Sequence, residues 1–247
     1  MAAGALIVLL LLSACQATIR VGVTVNSNGS GSVTVRAHLD RDAAASYASS
    51  VRTSDLTQAG WAVTGPTTGA GGSVDFTATK AFANPAAAKA VAAELSGPTG
   101  PFRDLTIVRR ASFFQTSTRF QGTVDLTCGI NCFSDPQLQQ TLGGAGIDPA
   151  ALQTRTGVAL DQVFQFQVAA RLPGQIQAAN GSRSGGEVVW PVHLGQTATL
   201  SAQARTWNVT HILLTLLVGV LAVVALVLSG RRRARHRAAR RGAHHRR

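Results

Sequence analysis

From Ile212 to Gly230 the chain runs through 19 residues in which Thr215 is the only clearly polar side chain before Ser229. A bilayer core about 30 Å thick needs roughly 20 apolar residues at about 1.5 Å each. One end of the chain is therefore expected to be a transmembrane helix, residues 208–230. Thr215 can place its hydroxyl on the preceding helical turn, and Trp207 stands where an amphipathic ring suits the interface. Residues 231–247 follow as RRRARHRAARRGAHHRR, with nine Arg and no acid. By the positive-inside rule this tail is cytoplasmic and the preceding part of the chain lies outside.

The tail also carries most of the charge. Without its nine Arg, 14 Lys and Arg face 11 Asp and Glu, so +3 remains of a formal +12. The basic run has no interleaved aromatics and no folded module around it, which argues against nucleic acid as a partner. Anionic lipid headgroups are the expected contact of the tail.

The other end points to the same compartment. Ala5 to Leu12 is an apolar run too short to span, followed by Leu12-Ser13-Ala14-Cys15. This resembles a bacterial lipobox, which makes residues 1–14 a lipoprotein-type signal peptide and Cys15 the lipidated first mature residue. No Lys or Arg stands between Met1 and Cys15, a departure from the usual signal peptide. Lipidation of Cys15 leaves Cys128 and Cys132, an even pair in an oxidising compartment, and a disulfide is expected between them. A zinc site would need two further ligands, and the spacing does not match a redox C-x-x-C motif.

Between the anchors, residues 15–207 read as an α+β domain: an antiparallel sheet of hairpins covered by two Ala-rich helices. Ile19–Val25 and Val33–Leu39 alternate at period two across a turn-rich Asn26-to-Gly31 connection. Further strands are expected over Trp61–Thr64, Val74–Phe82, Leu105–Phe113, Arg119–Thr127, Phe164–Leu172, Gly174–Ala179, Val188–Leu194 and Thr197–Arg205. The helices are expected over Asp42–Gly60, broken near Thr53-Ser54 and capped by Asp42, and over Ala86–Ser96 after Asn84-Pro85. Residues 128–157 read as an irregular insertion with helical signals at Asp135-Pro136 and Asp148-Pro149. Gly181 to Gly185 reads as a turn.

No catalytic constellation is found. G-x-S-x-G and H-E-x-x-H are absent, and Gly69 to Gly72 joins strands rather than opening a helix. His38, Asp40 and Asp42 form a conceivable metal cluster, better read as a solvated strand end with a helix cap. His193 lies on a strand and His211 borders the span. The chain is expected to be no enzyme and to hold no metal or cofactor.

The order of several pieces resembles the LppM family of actinobacterial envelope lipoproteins. They are the lipobox, the early strand pair, Asp55-Leu56-Thr57-Gln58-Ala59-Gly60-Trp61 and Phe120-Gln121-Gly122-Thr123-Val124-Asp125-Leu126. Leu172-Pro173-Gly174, Asn180-Gly181, Val189-Trp190 and the terminal span complete the set. The resemblance implies a surface-exposed lipoprotein with a fold likened to lipid-binding domains, and an envelope lipid or glycolipid as ligand. Small-residue helices over a wide sheet leave room for a concave apolar site, whose expected lining is Trp61, Phe164, Phe166 and Trp190. The alternative is a non-enzymatic envelope interaction or organising protein without a small ligand.

Overall fold

The computed structural model describes residues 16–47, 54–96, 100–129, 132 and 164–244. Cys15 with its lipobox, the helical signals after Asp135 and Asp148, and most of the 128–157 insertion lie outside them. The described residues fall into two compact units. The first takes those up to Arg110 together with Ser117–Thr206; the second combines Ala111–Thr116 with the chain from Trp207 onward.

The chain order is β1 (Ala17–Val25), β2 (Gly31–Leu39), α1 (Arg41–Tyr47), α2 (Ser54–Gln58), β3 (Ala62–Thr68), β4 (Val74–Phe82) and α3 (Pro85–Ser96). It continues with β5 (Phe102–Ala111), β6 (Gln115–Asp125), β7 (Phe164–Arg171), β8 (Gln175–Ala179), β9 (Ser182–Ser184), β10 (Glu187–Val192), β11 (Thr197–Trp207) and α4 (Val209–His244). The strands form a seven-stranded sheet, β3-β4-β2-β1-β7-β10-β9, and a four-stranded sheet, β5-β6-β11-β8. Mainly sheet with a few helices, the domain keeps the expected α+β character, but its cover differs from expectation.

The expected cover of helices alone is corrected: among the described residues a second sheet joins the helices. Helix α3 packs on β2 and β4 and contributes Ala88, Val91 and Ala92 to the core. Over β7 and β10 the cover is the second sheet, whose Phe120, Val124, Leu200, Ala202 and Ala204 are almost wholly buried. Two ring pairs tie the sheets together: Phe120 with Trp190 at 5.8 Å and Phe102 with Phe166 at 6.1 Å between centroids. The physical reason is volume. Alanine side chains alone cannot fill the space above a sheet of this width, whereas Phe and Leu from facing strands interdigitate to interior density.

The sheet is also not wholly antiparallel. β1 pairs with β2 antiparallel, Val21 opposite Val35, but with β7 parallel, Val21 opposite Val168. This pairing joins residues far apart in sequence. In β1 the buried positions are Val21, Val23 and Val25, so Arg20, Gly22 and Thr24 occupy the other face. Gly31 at the start of β2 has a steric role: a Cβ there would collide with the Thr24 carbonyl and lie 2.5 Å from the Phe82 ring.

Of the helix expected over Asp42–Gly60, the described residues show α1 and, from Ser54, α2; residues 48–53 lie outside them. The cap of α1 is Asp40 rather than Asp42: the Ala43 amide donates to Asp40 Oδ1 at 2.9 Å, and the Gln16 amide donates to Oδ2. The α3 start follows expectation, with the Ala87 amide donating to Asn84 Oδ1 at 2.9 Å and Pro85 opening the helix. Ser182–Ser184 forms a short strand instead of a turn; the reversal falls at Gly185-Gly186, both with positive φ. β5 ends at Ala111, so Phe113 belongs to the hairpin tip.

In the second unit, Val209–Leu228 is long and apolar enough to cross a membrane. The helix does not stop at Gly230 but runs on through the basic residues to His244. Thr215 Oγ1 donates to the His211 carbonyl at 2.8 Å, the back-bond that makes a hydroxyl tolerable in an apolar helix.

Candidate functional site

The four expected lining residues do not converge on one site. Trp61 precedes the edge strand β3, whereas Phe164 and Phe166 on β7 and Trp190 on β10 lie on neighbouring strands. Phe164 and Phe166 border only a small hollow of about 150 Å³ with Gln165, Gln167, Pro191, Val192 and His193. Trp61, Phe166 and Trp190 are 3%, 2% and 4% exposed, and all belong to the hydrophobic core. Phe164 is half-buried and packs against the same core. Large aromatics on an inward strand face are first of all core formers, and here Phe166 and Trp190 pack against rings of the second sheet. Trp190 is held in place by Asn180: its Nε1–H donates to Asn180 Oδ1 at 2.7 Å, and the Ser201 amide donates to the same oxygen at 2.9 Å. A Cβ at Gly181 would lie 2.6 Å from Trp190 Nε1, so Gly181 lets the turn close over the indole. The Asn180-Gly181 and Val189-Trp190 pieces thus serve packing.

An open groove forms instead beside α3. It has a volume of about 580 Å³ and is lined by Asn28, Pro85, Ala86, Lys89 and the β5 segment Thr106 to Arg109. Pro85, Ala86, Ile107 and Val108 make it largely apolar; Lys89 and Arg109 supply two cations. Arg109 shares the phase of Leu105 and Ile107 along β5, yet it lies past the core edge. Its Nε–H donates to the Ser27 carbonyl at 3.0 Å. Gly29, with φ of +93°, keeps the β1–β2 turn close: a Cβ there would approach the Arg109 side chain at 3.3 Å and Pro85 at 3.4 Å. Val108 is 42% exposed, an apolar residue out of the inward phase. Such a volume, with apolar walls and a few charged groups, is the usual format of a small-ligand site. Neither Lys89 nor Arg109 was singled out by sequence pattern. The signal that points to them is the inward phase of Leu105, Ile107 and Arg109, which ends on a cation.

On the outer face of the larger sheet, Arg20, Arg36, Arg171 and Glu187 surround a hollow of about 260 Å³ floored by Gly22 and Ala169. Glu187 accepts from Arg171 at 2.9 Å and from Arg20. Burial pushes the Glu187 carboxyl up, but the Arg171 hydrogen bond and the charges of Arg20 and Arg171 outweigh it, leaving the pKa below the ordinary value. This reads as a neutralising network on a polar sheet face.

The remaining titratable candidates are dispersed. His38 Nδ1 lies 2.7 Å from Asp75, while Asp40 is engaged in capping, so the imagined His38-Asp40-Asp42 cluster does not assemble. Among the described residues no group of three His, Cys, Asp or Glu is placed to hold a metal. Cys128 and Cys132 are disulfide-bonded, with Cα atoms 5.3 Å apart. The turn before them is fixed by Asp125, which accepts from the Thr127 hydroxyl at 2.6 Å and amide at 3.0 Å; these bonds lower its pKa.

Comparison with known proteins adds one strong match. The LppM domain profile matches residues 18–206, most of the chain. No curated protein matches the chain significantly. Among solved structures, the NMR structure of the folded domain of Mycobacterium tuberculosis LppM is similar at 15% identity and a TM-score of 0.41. That alignment covers 79% of this chain and 92% of that one, a likeness too distant to transfer any detail of a site.

Proposed function

The chain belongs to the LppM family, and on that premise we propose a membrane-anchored, extracytoplasmic lipoprotein that binds an anionic envelope lipid or glycolipid without catalysis. The observation that carries the reading is the groove between α3 and β5, apolar along Pro85, Ala86, Ile107 and Val108 and cationic at Lys89 and Arg109. An acyl chain laid along the apolar walls leaves water, at about 25 cal/mol per Å² of surface covered. An anionic headgroup then meets the two cations in a partly screened setting, each contact worth about 1 kcal/mol. The anchors support the same reading. A lipid on Cys15 and a span at Val209–Leu228 would keep the domain where such ligands reside, with the α4 basic end contacting anionic lipid on the cytoplasmic side.

The test is native mass spectrometry of the full chain in detergent, titrated with phosphatidylglycerol and, separately, with phosphatidylcholine. The double variant Lys89→Glu/Arg109→Glu should lose phosphatidylglycerol affinity by about tenfold, equivalent to about 1.4 kcal/mol. The basic tail binds equally in both proteins and sets the background. Equal retention of phosphatidylglycerol by the double variant and the unmodified chain would leave the envelope interaction protein without a small ligand as the better account.

A further inference from the structure

The second unit holds an arrangement that the groove does not use. The β5–β6 hairpin tip is Ser112-Phe113-Phe114-Gln115, closed by the Ser112 amide and hydroxyl, both donating to the Gln115 carbonyl at 2.8 Å. Phe113 and Phe114 form an edge-to-face pair 4.9 Å apart and are 56% and 45% exposed. Two adjacent exposed phenylalanines at a loop tip are an apolar patch that needs a partner.

The tip is bonded to the start of α4 along its backbone. Asn208 donates its amide to the Phe114 carbonyl at 2.8 Å, and its Nδ2 to the Ser112 carbonyl at 2.9 Å and the Phe113 carbonyl at 3.2 Å. His211 Nδ1 donates to the Phe113 carbonyl at 2.7 Å, while its ring stacks on Phe113 at 4.8 Å. Asn208 accepts the first helical bonds, from the His211 and Ile212 amides, on its own carbonyl. Its side chain, which elsewhere would cap the helix, is instead committed to the tip.

This bonding fixes the depth of the tip. Val209–Leu228 has 20 residues, and at about 1.5 Å each it needs its whole length to cross about 30 Å of hydrocarbon. Asn208 and His211 therefore sit at the boundary, beside Trp207, which is 54% exposed. Whatever is hydrogen-bonded to them sits at the same level. We propose that the Phe113-Phe114 tip is a second membrane contact: its two rings lie in the interfacial layer of the outer leaflet, clamped to the first turn of the span. Trp is enriched in this layer and Phe is accommodated at its apolar side, so Phe113, Phe114 and Trp207 give this boundary three aromatic side chains. The occupant of the patch is lipid, because the adjoining surface of α4 from Val209 on is itself lipid-facing.

The inference rests on the reading of α4 as a membrane span, and the test separates the two. Full chains carrying Phe114→Trp or Leu217→Trp, each with Trp207→Phe, are reconstituted in phosphatidylcholine–phosphatidylglycerol vesicles. The lipids are brominated either near the headgroup end or near the middle of the acyl chains. Trp61 and Trp190 are buried in the domain core and give a constant background. The indole introduced at position 114 should lose emission to the shallow bromines more than to the deep ones, and that at position 217 the reverse. In the unmodified chain, Trp207 should follow the shallow pattern, which checks the arrangement without a tip substitution. Quenching at position 217 with none at position 114 overturns the tip contact alone. No quenching at position 217 removes the span and the inference together.

Discussion

Phe120 is where the account of a closed core meets a measurable number. Its side chain is 0% exposed, and it packs from the smaller sheet against Trp190 of the larger. Phe120→Ala deletes the ring and leaves a void that rigid strands on both sides are poorly placed to fill. Buried Phe→Ala changes cost about 3–5 kcal/mol, and complete burial puts this site near about 4 kcal/mol. With a urea dependence of about 2 kcal/mol per molar, the unfolding midpoint should fall by about 2 M. The assay is urea unfolding of the full chain in a mild detergent, followed by the emission of Trp190, whose ring adjoins the deleted one. Phe114→Ala, at the exposed tip, is the control and should change the midpoint little. A loss under about 1 kcal/mol for Phe120→Ala would refute the reasoning. It would mean the sheets enclose loose space, and the ligand site would return to the inward aromatics Phe164 and Phe166.

Three further outcomes are expected. Gly181→Ala sets a methyl 2.6 Å from Trp190 Nε1 and should cost about 1–3 kcal/mol, with a shift in indole emission as the Asn180 bond is lost; unchanged emission would contradict it. Glu187→Gln should cost about 1 kcal/mol at neutral pH. Because the folded-state pKa of Glu187 lies below its unfolded value, its contribution is complete above the ordinary carboxylate range and fades as pH falls through the lowered pKa. The variant should lose that part of the acid dependence, and parallel acid profiles would argue against the network. Cys15→Ala should abolish metabolic labelling by a fatty-acid analogue while the chain stays in the membrane fraction; surviving label would end the lipoprotein assignment.

Local features were the most legible part of the sequence. Val74–Phe82 is a strand with the expected bounds, paired with β3 as the expected hairpin, and Asn84-Pro85 opens α3 as cap and first residue. Thr215 makes the back-bond expected of a hydroxyl in an apolar helix. Non-local pairing was not legible. Nothing in the alternation of Ile19 to Val25 says that its second neighbour is Phe164–Arg171, in parallel. Period two records which side faces inward but not what covers it, so the second sheet was invisible and the Ala-rich helices received its role. The same ambiguity bears on the choice of a site. An inward aromatic such as Phe166 or Trp190 reads identically whether it lines a cavity or fills one. The groove depends on the close approach of the Gly29 turn, Pro85 and Arg109, a tertiary meeting of three segments. The Phe113-Phe114 tip was hidden because Phe113 reads as a continuation of β5.

The most direct test of ligand binding is hydrogen–deuterium exchange on the full chain with and without saturating phosphatidylglycerol. The account predicts slowed exchange confined to the first turns of α3, Pro85 to Lys89, and to Thr106–Arg109 of β5, with Phe164–Leu172 unchanged. No slowing at the groove, or slowing along β7 and β10 instead, would contradict it.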